Sequence, residues 1–305
     1  MTEILVATGC GCLSFDENGD RQSAFENKLV NALILLPDQT VLAVVSSNEF
    51  WIRELSGIWV HQQTLTANIS ALTLSGSDII AATDEPALIR IDPQGCLERL
   101  NGFDQIEGRA QWFAQGPPLH IRSLTTSADG TTLMAAVHVG GIPRSIDAGM
   151  TWAPTIPIMD DVHEVRAHET RAEVAAAVTA YGLIISQDAG QSWKLLADGP
   201  EVTHGLALTI LPDEVLFSVQ EDPFAKRSQI WRHRLDGRAM IEQVRDGLPQ
   251  WLDGKVDTAQ MASNNTNNRA AFVDGSMKLW LSQRGSTGWN HIASDVPYPL
   301  SVLII

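Results

Sequence analysis

The sequence predicts an all-β chain folded as a seven-bladed β-propeller, and three observations predict it. The pattern S-x-D-x-G-x-[T/S]-W occurs twice, carried by Ser145, Asp147, Gly149, Thr151 and Trp152 and again by Ser186, Asp188, Gly190, Ser192 and Trp193. The copies lie 41 residues apart, about one propeller blade. Short apolar segments recur at spacings of 39 to 53 residues, starting near Asn31, Ser70, Ser123, Val165, Gly205, Thr258 and Ser301. The two ends of the chain are also complementary. Residues 301–305 match a first strand, whereas residues 4–9 and 11–16 match a second and a third. One blade shared between the ends would close the ring and remove open sheet edges. Residues 1–305 thus read as a single propeller domain.

Composition agrees. The 23 Gly and 14 Pro suit many turns, and a hydrophobic content of 44% supplies a core. A net charge of −15 repels nucleic acid and anionic membranes, so a small molecule or a protein is the expected partner. Cys10, Cys12 and Cys96 form no disulfide framework. Cys10 and Cys12, two residues apart, read as small core residues on one strand face. The N-terminus lacks a signal-peptide pattern and no apolar run reaches transmembrane length. A cytoplasmic location is expected.

Each residue of the repeated pattern has a task in a tight reversal. The Asp accepts backbone N–H groups of its own turn and the Gly supplies a positive φ. The hydroxyl closes the loop and the Trp covers it. Weaker copies stand at residues 282–289 and at Ser56, Gly57, Ile58 and Trp59. The two full copies resemble the Asp-boxes of BNR-repeat proteins. Residues 160–168, 138–141, 221–224 and 247–254 extend the likeness to bacterial sialidase-like BNR propellers. That resemblance implies a shared site on the rim and carries no reaction with it.

Propeller geometry puts the boxes on one face. First-strand entries and second-to-third-strand turns fall on the other, around the central channel. His120, Asp160, Asp161, His163, His204, Asp253, Lys255 and Asp257 occupy entries. Asn48, Glu49, Asp84, Glu85, His138, Tyr181, Glu221, Asp222 and Asp274 occupy turns. Residues 160–168 place six ionisable side chains, Asp160, Asp161, His163, Glu164, Arg166 and His168, where an apolar strand belongs. They are ligand-binding candidates, or else Asp161–Arg166 and His168 pairs serve as structural salt links. The ligand-binding candidates are His138, His163, His168, His204, Asp222, Trp251 and Asp253. His120, His138, His163 and His204 could instead bind a divalent metal such as zinc, iron or manganese. Asp161 or Glu164 would complete that shell, and Glu164, Asp161 and Arg166 are the catalytic candidates. Arg122 or Arg166 could grip an anion. Trp112, Phe113 and Trp251 lie in two long insertions, either stacking on a ligand or capping the core.

Sialidase activity is not expected. Sialidases need an arginine triad and a Tyr–Glu pair on six blades. This chain has two tyrosines, Tyr181 and Tyr298, and residues 141–144 only echo the arginine motif, in the wrong order. Xyloglucan hydrolases of the Asp-box type use a cleft between two propellers, and the photosystem II assembly propeller uses basic patches. No nucleophile elbow or P-loop occurs. The leading expectation is a binding module acting through the His/Asp-rich rim. The alternative is a metal-dependent lyase or hydrolase on the same rim, and a third reading is a pure scaffold with no rim ligand, so the sequence leaves open whether the protein is an enzyme.

Overall fold

The expected first strands exist, within a few residues of where the apolar segments place them. A computed structural model describes every residue except Met1, 113–119, 197–203, 237–240 and 285–287. The described residues form seven antiparallel sheets of four strands, one with a short fifth segment, in the arrangement of a seven-bladed β-propeller. They fall into two compact units, Met1–Thr64 with Ala197–Ile305, and Leu65–Leu196.

The larger unit holds four sheets. In the first, Pro299–Ile304 pairs with Ile4–Thr8, followed by Gly11–Phe15 and Arg21–Ala24. The register runs Ile4 to Ile304, Leu5 to Leu303 and Val6 to Val302. Glu3 and Ile305 exchange backbone hydrogen bonds of 3.0 and 2.9 Å. The expected sharing of one sheet by the two ends is therefore observed. The second sheet contains Val30–Leu35, Val41–Val45, Glu49–Arg53 and Trp59–Thr64, and the third His204–Leu211, Glu214–Gln220, Arg227–Arg234 and Ile241–Gln243. Leu252–Asp253, from the second insertion, adds a short segment along Arg227 and Ser228. The fourth has Met261–Asn264, Arg269–Val273, Leu279–Ser282 and Trp289–Ala293. Its first strand starts three residues later than Thr258. The Asp257 carboxylate caps the Thr258 amide at 2.8 Å and Ala259 has φ 62°, a turn that forbids extended backbone there.

The smaller unit holds three sheets. They are Ile69–Ser75, Asp78–Thr83, Leu88–Ile91 and Leu97–Arg99; then Ile121–Thr126, Leu133–Val137, Pro143–Ser145 and Ala153–Pro154; then Val162–Ala167, Ala175–Thr179, Gly182–Ser186 and Lys194–Leu195. Second strands are buried on both faces, as in Leu133–Val137 and Ala175–Thr179, whereas fourth strands such as Leu97–Arg99 are exposed. This gradient explains why second strands read as unbroken apolar runs and fourth strands barely register. The first insertion forms a short helix, Asn101–Asp104. Its Phe103 packs edge-on against Trp112 at 5.6 Å and Trp152 at 5.1 Å. Trp112 thus caps the core, with the Arg109 guanidinium 4.7 Å from its ring. Phe113 lies outside the described residues.

Both S-x-D-x-G-x-[T/S]-W segments close the same way. Ser145 Oγ donates to Asp147 Oδ1 at 2.8 Å and accepts the Gly149 amide at 2.8 Å. Asp147 accepts the Thr151 amide at 2.8 Å and its hydroxyl at 2.6 Å. Ser186, Asp188, Gly190 and Ser192 repeat this pattern. Burial pushes the Asp147 and Asp188 carboxyls up, but these hydrogen bonds outweigh it and hold both below the ordinary range. The sequence suggests one left-handed residue per box, and the structure has two: Ala148 (φ 56°) with Gly149 (φ 87°), and Ala189 (φ 55°) with Gly190 (φ 80°). A Cβ on Gly190 would meet Met134 Sδ at 2.3 Å, so a larger residue there would also have to displace that side chain. In the weaker copy Ser282 Oγ instead accepts the amide of Ala270 on the neighbouring strand at 2.8 Å, while 285–287 lie outside the described residues.

The cysteines depart from expectation in part. Cys12 is buried, and burial pushes its thiol up to about 12. Cys10 is exposed, because its strand begins at Gly11 and the two-residue spacing no longer places both on one face. No described helix is long and apolar enough to cross a membrane.

Removing residues 301–305 takes away the ladder to residues 4–7 and exposes the apolar surface beneath Val302 and Ile304. Each of those side chains contributes about 1.5–3 kcal/mol of burial. The truncated chain is expected to lose at least about 3 kcal/mol, a large share of a typical 5–15 kcal/mol total, and a circular-dichroism melt would read this as a large fall in Tm.

Candidate functional site

In each antiparallel sheet the start of the first strand lies beside the end of the second. Residues at first-strand entries and second-to-third-strand turns therefore share one end of the sheet. Four first strands carry the same irregularity there. The register skips Asn31 between Val30 and Ala32, Ser70 between Ile69 and Ala71, Arg122 between Ile121 and Ser123, and His163 between Val162 and Glu164. Each is a β-bulge, which re-aims the extra side chain and frees it from the pairing pattern. Sequence reasoning missed these bulges. The signal that could have found them is a β-branched residue followed by a polar one and a small or acidic one, as in Val162, His163 and Glu164.

Adjacent first strands in the smaller unit are stitched by hydroxyls. Ser123 Oγ accepts the Val165 amide at 2.9 Å, and Thr125 Oγ1 accepts the Ala167 amide at 2.9 Å. Thr126 Oγ1 donates to the Leu74 carbonyl. These contacts bring the entries of neighbouring sheets together and assemble a cluster of His120, His138, Asp161 and His163. His163 Nε2 lies 3.2 Å from Asp161 Oδ2, and His138 Nε2 lies 3.6 Å from Asp161 Oδ1. The His120 and His138 rings are 5.8 Å apart, and the His138 amide donates to the His120 carbonyl at 3.2 Å. The Ala180 amide donates to the Asp161 carbonyl at 3.1 Å, tying the entry to the neighbouring turn.

One carboxylate thus stands between two imidazoles. The 3.6 Å separation is too long for a hydrogen bond, and Asp161 Oδ1 and His138 Nδ1 are both buried without one. Burial pushes the Asp161 carboxyl up, but the hydrogen bond from His163 and the electrostatic interactions with His163, His138 and Arg122 outweigh it and hold it below the ordinary range. His138 is pushed down by burial; Asp161 opposes that, and Arg122, His120 and His163 add to it. It therefore takes its proton at a lower pH than a free imidazole. Asp160, beside the cluster in sequence, is pushed up by burial. The cluster offers a fixed anion, imidazole donors and acceptors, and unsatisfied hydrogen-bonding atoms: the chemistry of a polar ligand site. Among the described residues no group of three or more His, Cys, Asp or Glu is placed to hold a metal ion.

The other sequence candidates lie elsewhere. Glu164 is fully buried, with Arg166 Nη2 at 2.6 Å and Nε at 2.8 Å from its Oε1. Its charge is answered by Arg166, so the salt link of this strand joins Arg166 to Glu164 and not to Asp161 as the sequence suggests, because Asp161 faces His163 and His138 instead. His168 follows the far end of the same strand, where its Nδ1 accepts the amides of Thr170 and Arg171, both at 3.1 Å. It shapes a turn and does not join the cluster. His204, Asp222, Trp251 and Asp253 belong to the larger unit, around one end of its third sheet. Asp222 Oδ1 accepts the Phe224 amide at 2.7 Å. The Arg227 guanidinium lies 4.0 Å from the Trp251 ring centroid, and Asp253 pairs with Arg227 in register.

No protein-family profile matches the sequence, and no curated protein sequence does. Solved structures match by fold. A GH74 xyloglucanase from Xanthomonas campestris is 16% identical with a TM-score of 0.62, covering 97% of this chain and 47% of its own, so the chain spans about half of that protein. A protein provisionally assigned as a 6-phosphogluconolactonase from Bacteroides uniformis is 13% identical with a TM-score of 0.70, over 100% of this chain and 99% of that one. YCF48 bound to D1 peptide is 12% identical with a TM-score of 0.60, over 95% and 84%. At these identities the likeness establishes the propeller fold and no activity.

Of the charges acting on His138, Asp161 alone raises its pKa. Asp161→Asn is therefore expected to move His138 to a still lower pKa in an imidazole-detected NMR titration. A rise would mean that the two groups do not interact as their separation implies.

Proposed function

We propose that the protein is a non-hydrolytic binding module whose ligand docks on His120, His138, Asp161 and His163. The observation that carries this reading is the Asp161 carboxylate set between two imidazoles, with Asp161 Oδ1 and His138 Nδ1 buried and lacking hydrogen bonds. Buried polar atoms without partners cost about 1–3 kcal/mol each, so a guest that satisfies them gains what the free protein forgoes. Exposed Met159 and Tyr181 flank the cluster in sequence on its entry and its turn, and they suit the apolar part of a small molecule or a protein side chain. The net charge of −15 favours a neutral or cationic ligand over an anionic one.

The two boxes support membership of the BNR-repeat group, and the three free thiols fit a reducing, cytoplasmic setting. A protein partner would use the same residues. The YCF48 structure with a bound peptide is a precedent for peptide binding by this fold, and the lactonase-like neighbour for small-molecule chemistry.

A screen of neutral and cationic small molecules, followed through the imidazole resonances of His138 and His163, tests the proposal. A ligand is expected to shift both, and Asp161→Asn to weaken it by about tenfold or more, the 1.4 kcal/mol of one lost polar contact. Asp222→Asn, in the other unit, should leave it unchanged. Ligands that bind while both imidazoles stay unmoved would overturn the assignment.

A further inference from the structure

The third sheet of the larger unit holds a polar pair that the proposed function does not use. Gln220 ends the second strand and Ser228 lies directly opposite it on the third. Directly paired residues point their side chains to one face. Gln220 is 0% exposed and Ser228 1%. Gln220 Oε1, Gln220 Nε2 and Ser228 Oγ are all buried without a hydrogen-bond partner. Three such atoms in one cross-strand pair are unusual, since a buried amide or hydroxyl is nearly always satisfied.

The surroundings make this a built place. Ser218, Leu216 and Ile230 share the face by strand alternation. Ser218 Oγ donates to the Val256 carbonyl at 2.8 Å, and Leu216 and Ile230 pack in one apolar cluster with Leu248, Leu252 and Val256. The second insertion therefore covers the face. Leu252 pairs with Ser228 in register, and the Gly254 amide donates to the Lys226 carbonyl at 2.6 Å. An apolar pair here would have packed against that cover at no polar cost. The chain instead keeps an amide and a hydroxyl beneath it.

We infer that Gln220 and Ser228 form a closed binding site for a vicinal diol, the unit presented by a polyol or a sugar, with the insertion at residues 248–256 as its cover. The amide sets an acceptor and a donor side by side, and the hydroxyl does both. Two adjacent hydroxyls can answer all three atoms, because each donates and accepts. The carbon backbone of a diol suits the Leu216, Ile230 and Leu252 surroundings. His204, buried and directly opposite Gln220 on the first strand, shares that face and adds one imidazole to the lining.

Saturation-transfer NMR with glycerol and with D-glucose, and with acetate as the charged control, tests this on the full chain. The wild type should transfer saturation to glycerol or D-glucose and not to acetate. Gln220→Leu with Ser228→Ala should abolish the transfer while melting no lower, since both changes remove buried unsatisfied atoms. Asp161→Asn should leave it intact, which separates this site from the histidine cluster. No transfer from either diol to the wild type would overturn the inference, as ordered water alone would then occupy the pair. So would transfer that survives in the double variant.

Discussion

The Val165 amide donates to Ser123 Oγ across the junction of two sheets, and the Ala167 amide to Thr125 Oγ1 beside it. Much of the candidate site depends on these stitches. A sheet pairs its own strands through the backbone ladder, but nothing in that ladder aligns it with the next sheet. Side-chain hydroxyls on one first strand, bonded to amides freed on its neighbour, set that alignment. The amides are free because this strand is the edge of its sheet, paired on one side only. With the strands aligned, the bulges at Arg122 and His163 come at equivalent heights and their side chains leave the pairing pattern at the same end. The cluster of His120, His138, Asp161 and His163 follows from that alignment.

Asp161 then organises the cluster. It is half-buried, and the hydrogen bond from His163 with the electrostatic interactions of its neighbours holds its carboxyl below the ordinary range in spite of burial. The same burial keeps His138 inclined to stay neutral. The result is a site with one fixed negative charge and imidazoles that can donate or accept, an arrangement suited to recognising a polar partner. Glu164 and Arg166 illustrate the contrast. They sit on the same strand, but they satisfy each other at 2.6 Å and serve the strand.

Much of the fold is legible in the sequence because it rests on residues with one physical purpose. The box Asp, Gly and hydroxyl are required by a turn that no other residues close as well. The second strands announce themselves because both faces are buried. The shared sheet of the two ends is legible because residues 301–305 and 4–16 complete one strand pattern. The site is less so. The bulges occur at Asn31, Ser70, Arg122 and His163, four different side chains, and register is a property of pairing that no single strand displays. Ala148 and Ala189 adopt left-handed φ although alanine gives no hint of it. Thr258 reads as the start of a strand until the Asp257 cap turns the chain. His168 reads as a member of the cluster by proximity in sequence, but an extended strand carries it to the opposite end.

The central claim is that the histidine cluster recognises its ligand through its own polar atoms. Metal content by mass spectrometry, on untagged protein purified without chelator, tests that most directly. The account predicts no stoichiometric metal, and ligand binding that is indifferent to a later chelator. A stoichiometric divalent ion that is lost in His163→Ala, with the protein still folded, would contradict it and make the site that of a metal-dependent enzyme.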